Sequence, residues 1–373
     1  MSLDDDVILG GAPRAEPPTL VLASERVLIE GELQPAVLSV QDGMVHQVWW
    51  GSADPARAKV SGETVELGSR VVLPGVVDTH LSSGSLPPAT TVRALEDRRA
   101  AAEVARARGD LHRDIGFWGG AVPGNTEELE PLWAAGVLGL TCTLAGSGAP
   151  VLPPLPQDEL LAAMGRIAWF GGLLAVHAEG PAALTGLLDA VRETGARTHV
   201  PHLTSARALD LIAEAKDEGL PVTAETCHHG LVLDVRDGTA DGSADGSARS
   251  CCPAVRDGGD QDALWHGLRE GVLDCVGGVG SPRQGGLAAL ADAARRRGVP
   301  LADVSHWTSA STAALAGLDR GPRRKGVIAE GAAADLIVYD SEAGTTFPAA
   351  WAAVDPAPAG SGPTLLRRSD AAR

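Results

Sequence analysis

The stretch LLAVHAEGPAALTGLLDAVRETGARTHVPH (residues 173–202) decides the fold class, because it combines three patterns typical of one structural unit. LLAVH (173–177) and RTHVPH (197–202) are short apolar runs of the kind that form buried strands. Between them, apolar residues recur at helical spacing. A strand, a helix and a second strand in this order predict two parallel strands joined by a crossover helix. The stretch therefore predicts an α/β fold with a parallel sheet.

The same alternation of strand and helix patterns continues on both sides of this unit. The further strand candidates are VVLPGVVDT (71–79), DIGFWGG (114–120), VLGLTCTL (137–144), PVTAET (221–226) and LDCVGGV (273–279). Residues 74–325 have about the length of one (β/α)8 barrel. Only seven strand candidates are found, and the second strand is missing where SSGSLPPATT (82–91) joins the first strand to the first helix. We therefore expect a TIM-type barrel that is one strand short, with Pro201 interrupting a central strand.

Both ends of the chain carry a different pattern, in which short β-type runs alternate with turn residues. Residues 19–73 and 326–347 have this pattern, so we expect them to form one composite β-sandwich domain around the barrel domain. Composition predicts an N-terminal extension, a polar low-complexity loop and a disordered tail; these are residues 1–18, 237–250 and 348–373.

Charge and cysteine content exclude several classes of protein. The 373 residues include 31 Lys and Arg against 48 Asp and Glu, a net charge of −17, which argues against nucleic acid or an anionic membrane as partner. The acidic N-terminus lacks the pattern of a signal peptide, so we expect a soluble, cytoplasmic protein. Five cysteines without CxxC spacing are expected to be reduced thiols. Lysine is scarce: the chain has only Lys59, Lys216 and Lys325.

Several motifs at the predicted strand ends together resemble one enzyme family. They are PGVVDTHLS (74–82), VHAE (176–179), HVPHLTS (199–205) and VTAETCHH (222–229). These motifs resemble the cyclic-amide branch of the amidohydrolase superfamily, which includes dihydroorotase, dihydropyrimidinase and allantoinase. DIGFWGGAVPGN (114–125) and the Cys-Cys-Pro at 251–253 are most similar to allantoinase. The resemblance implies a metal-dependent hydrolase that opens a small cyclic ureide such as allantoin to allantoate.

Family members hold two divalent metals with six groups, and three of these groups are replaced here. The resemblance places metal-ligating histidines at His80, His177 and His202. The second strand-one histidine falls on Ser82, and the carboxylated lysine that bridges the metals falls on Thr141. The last replaced group is the aspartate that is both ligand and general base, and it falls on Val279.

These replacements predict that a binuclear centre does not assemble. Two dications surrounded only by neutral imidazoles would repel each other, and valine cannot take a proton from water. Two alternatives stay open for the three remaining histidines. They hold one zinc ion, a ligand set that mononuclear catalytic zinc sites use, or they are imidazoles hydrogen-bonded in a pocket without metal.

The resemblance also indicates a substrate side of the pocket. His229, Cys252 and Asn125 match family positions near the substrate, although Asn125 is also suited to shaping a tight loop. His228 stands where the family usually has proline, and an extended chain would point His228 and His229 to opposite faces. Trp118 is expected either to border a flat ring ligand or to pack in the core. The remaining histidines are expected at surface or helix positions; they are His46, His112, His199, His266 and His306.

Two functions follow from this sequence. The first is an allantoinase-like hydrolase, impaired by the loss of three metal-site groups, with a small cyclic ureide as substrate. The second is a non-catalytic pseudoenzyme that acts as a binding partner, either in a homo-oligomer or in a hetero-oligomer with an active relative.

Overall fold

The structure is a computed structural model that describes residues 19–60, 62–79, 88–108, 114–144, 152–178, 180–232, 258–279 and 286–339. Its strands are β1 (Leu20–Ile29), β2 (Glu32–Gln41), β3 (Met44–Trp50), β4 (Glu63–Glu66), β5 (Val71–Pro74), β6 (Gly119–Gly120), β7 (Leu140–Thr143), β8 (Leu174–His177), β9 (Thr198–Val200), β10 (Val222–Cys227), β11 (Cys275–Gly277) and β12 (Leu336–Tyr339). Its α-helices are α1 (Pro55–Ala58), α2 (Val92–Arg108), α3 (Leu129–Ala134), α4 (Gln157–Phe170), α5 (Gly180–Thr194), α6 (Ala206–Asp217), α7 (His228–Val232), α8 (Gly258–Arg269), α9 (Gly286–Arg296), α10 (Leu301–Ser305) and α11 (Ser311–Leu315). A π-helix, His306–Ala310, joins α10 to α11.

The first sheet takes strands from both ends of the chain. Its order is β12-β5-β1-β2-β3, and β4 pairs with β1. The β1–β2 and β2–β3 hairpins turn at Glu30-Gly31 and Asp42-Gly43, where all four residues have positive φ. Two residues with positive φ form the type I′ turn, whose twist matches that of the paired strands. The far-end strand β12 is antiparallel to β5, so this sheet joins the two ends as the sequence indicates.

The second sheet contains six parallel strands in chain order, from β6 to β11. Helices lie between successive strands, as the strand–helix alternation predicts, and α5 shows why they form. Its buried leucines, Leu184, Leu187 and Leu188, recur at helical spacing and face the sheet. Buried side chains from this sheet and its helices form the largest hydrophobic cluster of the described residues.

The predicted first strand is only partly a strand. Val71–Pro74 forms β5 in the first sheet, but residues 75–79 form no strand pair. They run beside β11 instead, where the Val77 amide donates to the Thr308 carbonyl at 3.0 Å and the Gly278 amide donates to Asp78 Oδ1 at 2.9 Å. The Thr308 carbonyl of the π-helix and the Asp78 carboxylate therefore accept backbone N–H groups that a β-ladder would otherwise pair.

The expected gap in the barrel lies beside β6. Among the described residues, Ala89 alone bridges to this strand, through the bonds from the Ala89 amide to the Trp118 carbonyl and from the Gly120 amide to the Ala89 carbonyl. One residue therefore occupies the place where a whole strand was missing from the sequence pattern. The expectation for Pro201 was wrong, because β9 ends at Val200 and the proline deletes no ladder bond.

Several predicted features lie outside the described residues. They are the N-terminal extension, the 237–250 loop, the tail, His80, Ser82, His112, Cys251 and Cys252. Within the described part of the chain, no helix combines the length and the apolarity that a membrane span requires.

Burial of Cys142 in β7 predicts a loss of stability at alkaline pH. Burial raises the pKa of its thiol from 9.0 to about 12. The thiol loses its proton at a lower pH in the unfolded chain than in the folded protein. Its contribution to the free energy of unfolding is therefore fully present below about pH 9. As the pH rises from there toward the folded pKa, this contribution is lost at about 1.4 kcal/mol per pH unit. Urea denaturation of wild type and Cys142→Ala across this range should show a shallower pH slope for the variant. Equal slopes would contradict the prediction.

Candidate active site at the carboxyl ends of the strands

The predicted metal-site positions lie at one edge of the second sheet. Thr141 lies within β7, His177 is the last residue of β8, and His202 and Val279 each follow their strand by two residues. Parallel strands end at the same edge, which is where barrel enzymes carry their working residues. The structure therefore brings these four positions to one end of the barrel.

His177 and His202 lie close together at this edge. Their ring centroids are 5.1 Å apart with the ring planes tilted by 58°. His202 has φ +61°, in the left-handed region that a residue with a side chain rarely adopts. Such a conformation costs on the order of 1 to 3 kcal/mol, so the surrounding structure must hold it. Part of that support is the next residue, Leu203, whose amide donates to the Glu225 carbonyl at 2.9 Å.

The donor set does not fit the binuclear, lysine-bridged centre of the resembling family. Thr141 and Val279 are both buried, at 7% and 5% exposure, and neither side chain supplies an amine or a carboxylate. A bridging carbamate needs a primary amine, so one of the three lysines would have to reach this edge.

Two of the three lysines are held in ion pairs, and the third lies beside the first sheet. Lys216 in α6 donates to the Asp274 carboxylate at 2.7 Å and to the Gly271 carbonyl at 2.9 Å. Lys325 donates to Asp335 at 2.8 Å and to Asp114 at 3.1 Å. Lys59 is the C-terminal cap of α1, beside the first sheet. None of the three lysine side chains, all within the described residues, is therefore placed to bridge two metals at this edge.

Cys227, His228 and His229 form a cluster that sequence reasoning described wrongly. An extended chain would separate the two histidines, but β10 ends at Cys227 and α7 begins at His228. The helical turn brings both rings together, with centroids 3.8 Å apart, and both Nδ1 atoms lie near Cys227 Sγ. The missed signal was the change from strand to helix directly after the cysteine.

A second cluster, His199, Glu225 and Cys275, lies inside the barrel. Glu225 Oε2 is 3.5 Å from His199 Nε2 and 3.8 Å from Cys275 Sγ, and it accepts a hydrogen bond from the Thr79 hydroxyl. The expectation of a surface or helix position for His199 was wrong, because it lies in β9 at 2% exposure. A glutamate within an apolar strand was the available signal, because a buried carboxylate needs partners.

Three further expectations concern loops, the core and the remaining histidines. The Asn125 side chain donates to the carbonyls of Thr90 and Gly120 and accepts from the Val122 amide, so it shapes its loop; contact with a substrate stays a prediction. Trp118 is 3% exposed and belongs to a buried cluster with Leu173, Ala175, Cys275 and Leu315, which favours the core interpretation. His46, His266 and His306 are exposed, as expected.

Two known proteins that are similar to this chain are both allantoinases, although no family model matches the chain. An allantoinase from Streptomyces avermitilis is 36% identical over 414 aligned positions, which cover 89% of this chain and 88% of that protein. An allantoinase from Saccharomyces cerevisiae is 28% identical and covers 87% of both chains. The first alignment is longer than the 373-residue chain, so that relative carries segments that this chain lacks.

Solved structures support the fold. An L-hydantoinase (dihydropyrimidinase) from Arthrobacter aurescens superimposes with a TM-score of 0.69 at 22% identity, covering 85% of this chain and 86% of that one. A D-hydantoinase superimposes with a TM-score of 0.68 at 18% identity, covering 86% of both chains. The predicted TIM-type barrel with a β-sandwich is thereby confirmed. The sequence identity over almost the whole chain shows that this protein belongs to the allantoinase family, in the cyclic-amidase branch of the amidohydrolase superfamily.

Proposed function

We propose that this chain keeps a pocket for a cyclic ureide such as allantoin but opens the ring to allantoate much more slowly than an intact family member. One observation carries the proposal: the residues that the resemblance assigns to the bridging lysine and the general base, Thr141 and Val279, are buried and carry neither an amine nor a carboxylate. The names of the similar proteins support the substrate class.

Hydrolysis of a cyclic amide needs an activated water and charge stabilisation at the carbonyl oxygen. The loss of a general base typically lowers a rate by about 10²- to 10⁴-fold. The paired rings of His177 and His202 can still hydrogen-bond to the carbonyl and N–H groups of a ureide. Substrate binding is therefore retained although hydrolysis is slow. If His80 joins these two histidines around one zinc ion, the metal would supply Lewis acidity for a residual rate.

Allantoin hydrolysis by the purified chain tests the proposal, with the Streptomyces avermitilis allantoinase as reference. We expect turnover lower by about 10²- to 10⁴-fold, the range set by the missing base. Allantoin binding measured by calorimetry should persist and should weaken in His202→Ala. His266→Ala, which changes an exposed histidine of α8, is the matched control. Turnover equal to the reference would refute the proposal.

We propose a non-catalytic subunit as the second function, because the same two positions, Thr141 and Val279, supply neither an amine nor a carboxylate. Copurification with an intact allantoinase-like subunit would support this function, whereas full activity of the isolated chain would exclude it.

A further inference from the structure

The Cys227–His228–His229 cluster has the chemistry of a transition-metal site. The Sγ atom of Cys227 lies 3.0 Å from Nδ1 of His229 and 3.8 Å from Nδ1 of His228. One ligand atom from each of the three residues lies within 4.8 Å of the others. One sulfur and two imidazole nitrogens converge on one point, and all three come from consecutive residues of a single turn.

These separations suit zinc. Zinc bonds of about 2.3 Å to sulfur and about 2.05 Å to nitrogen, at a tetrahedral angle, place the two ligand atoms about 3.6 Å apart. The observed distances of 3.0 and 3.8 Å lie on either side of this value. Both sulfur–nitrogen separations therefore lie within about 0.6 Å of the tetrahedral value. Thiolate and imidazole are also the ligands that zinc takes most often in proteins.

The surroundings hold the cluster in place. Cys227 and His228 are 2% and 0% exposed, whereas His229 is partly exposed, so one side of the cluster is open. Gly278, after β11, forms the opposite wall: a Cβ atom there would lie 3.0 Å from Cys227 Sγ and 3.1 Å from His228 Nδ1. The Asp78 carboxylate accepts the Gly278 amide and fixes this wall. The cluster therefore has a tight inner side and an accessible outer side.

The other cysteine-containing cluster is less suited to a metal. His199, Glu225 and Cys275 are each at most 2% exposed, so no side is open to solvent. Burial and the Glu225 carboxylate also raise the pKa of the Cys275 thiol well above its ordinary value, which disfavours the thiolate that a metal needs.

We propose that Cys227, His228 and His229 bind one Zn²⁺ ion through one thiolate and two imidazoles, with the fourth position open on the side of His229. Binding releases the thiol proton to solvent and changes no oxidation state. This site uses neither Thr141 nor Val279, so it is separate from the family's binuclear arrangement and does not depend on the proposed ureide function.

Cobalt titration of the full-length protein, stripped with a chelator, tests the proposal. We expect one thiolate-bound Co²⁺ per chain, with a thiolate-to-cobalt charge-transfer band in the near ultraviolet that zinc abolishes. Cys227→Ser should lose the band. His228→Ala and His229→Ala should each weaken metal affinity more than about tenfold. Removal of a residue that only hydrogen-bonds to a metal ligand already lowers affinity by about tenfold or more, and removal of a ligand itself should lower it further. His266→Ala should leave both readouts unchanged.

Two results would overturn the site. A charge-transfer band that persists in Cys227→Ser would place the metal on another cysteine. Cobalt binding that lacks this band and is lost in His177→Ala would place the metal on His177 and His202 instead. X-ray absorption of the zinc-loaded wild type needs no variant to fold: one sulfur and two nitrogens around zinc support the proposal, and a shell without sulfur refutes it. Neither readout depends on hydrolysis.

Discussion

Replacing Trp118 with alanine is expected to lower the free energy of unfolding by about 3 to 5 kcal/mol, the range observed when a large buried aromatic side chain is removed. The indole ring is 3% exposed and belongs to a cluster with residues of β8, β11 and α11. It also fills the space against Gly139, where a Cβ atom would lie 2.4 Å from the ring. Urea denaturation followed by far-ultraviolet circular dichroism measures the change.

Trp118→Phe is the informative control for this prediction. The indole Nε1–H is buried and has no hydrogen-bond partner among the described residues, so phenylalanine loses packing but also removes an unsatisfied donor. We expect a loss below about 2 kcal/mol for this variant. Trp50→Ala changes a tryptophan that is 64% exposed and should alter stability by less than about 0.5 kcal/mol. A stable Trp118→Ala protein that no longer binds allantoin would instead place this ring beside the ligand.

Replacing Glu225 with alanine is the second change with a large expected effect, about 3 to 5 kcal/mol of lost stability. The carboxylate lies among Thr79, His199 and Cys275, all deeply buried. Alanine would leave the Thr79 hydroxyl and the Cys275 thiol facing a cavity without the carboxylate that accepts their hydrogen bonds. Thermal and urea unfolding at neutral pH measure the loss.

Glu225→Gln keeps the shape of the side chain and removes its charge, so it tests the two contributions to stability separately. The amide oxygen can still accept the Thr79 hydroxyl, so glutamine should cost clearly less than alanine. Asp303→Ala, which removes a carboxylate near the start of the five-residue helix α10, is a control outside this cluster. Equal effects of Glu225→Ala and Glu225→Gln would show that packing volume, rather than the polar cluster, accounts for the loss.

The sequence predicts the parallel sheet well because its strands are buried and its helices carry leucines at regular spacing. Five of the six strands from β6 to β11 lie inside the segment that the pattern indicates, and β10 extends one residue beyond its segment, to Cys227. The first strand was harder, since an apolar run such as Val71–Thr79 shows burial but not the partner. Residues 75–79 are buried against a π-helix carbonyl and a glycine amide, and no local pattern encodes such contacts.

In the candidate site, too, the sequence predicts some positions correctly and misses the contacts between residues distant in the chain. The motifs place Thr141, His177, His202 and Val279 at one edge because parallel strands end together. Sequence reasoning did not predict the close, tilted rings of His228 and His229, which depend on a helix that begins directly after Cys227. The buried position of His199 was missed because the sequence does not show that Glu225, 26 positions later, lies beside it.

The placement of the three lysines has a consequence for the proposed metal site. A bridging carbamate is made from a lysine amine and dissolved carbon dioxide, so a centre of that kind depends on the supply of bicarbonate. Lys216 and Lys325 are tied to aspartates and Lys59 lies beside the other sheet, which leaves no amine at the barrel edge to react. At the proposed site on Cys227, His228 and His229, metal uptake would therefore be uncoupled from carbon dioxide and would depend only on the release of protons from its own ligands.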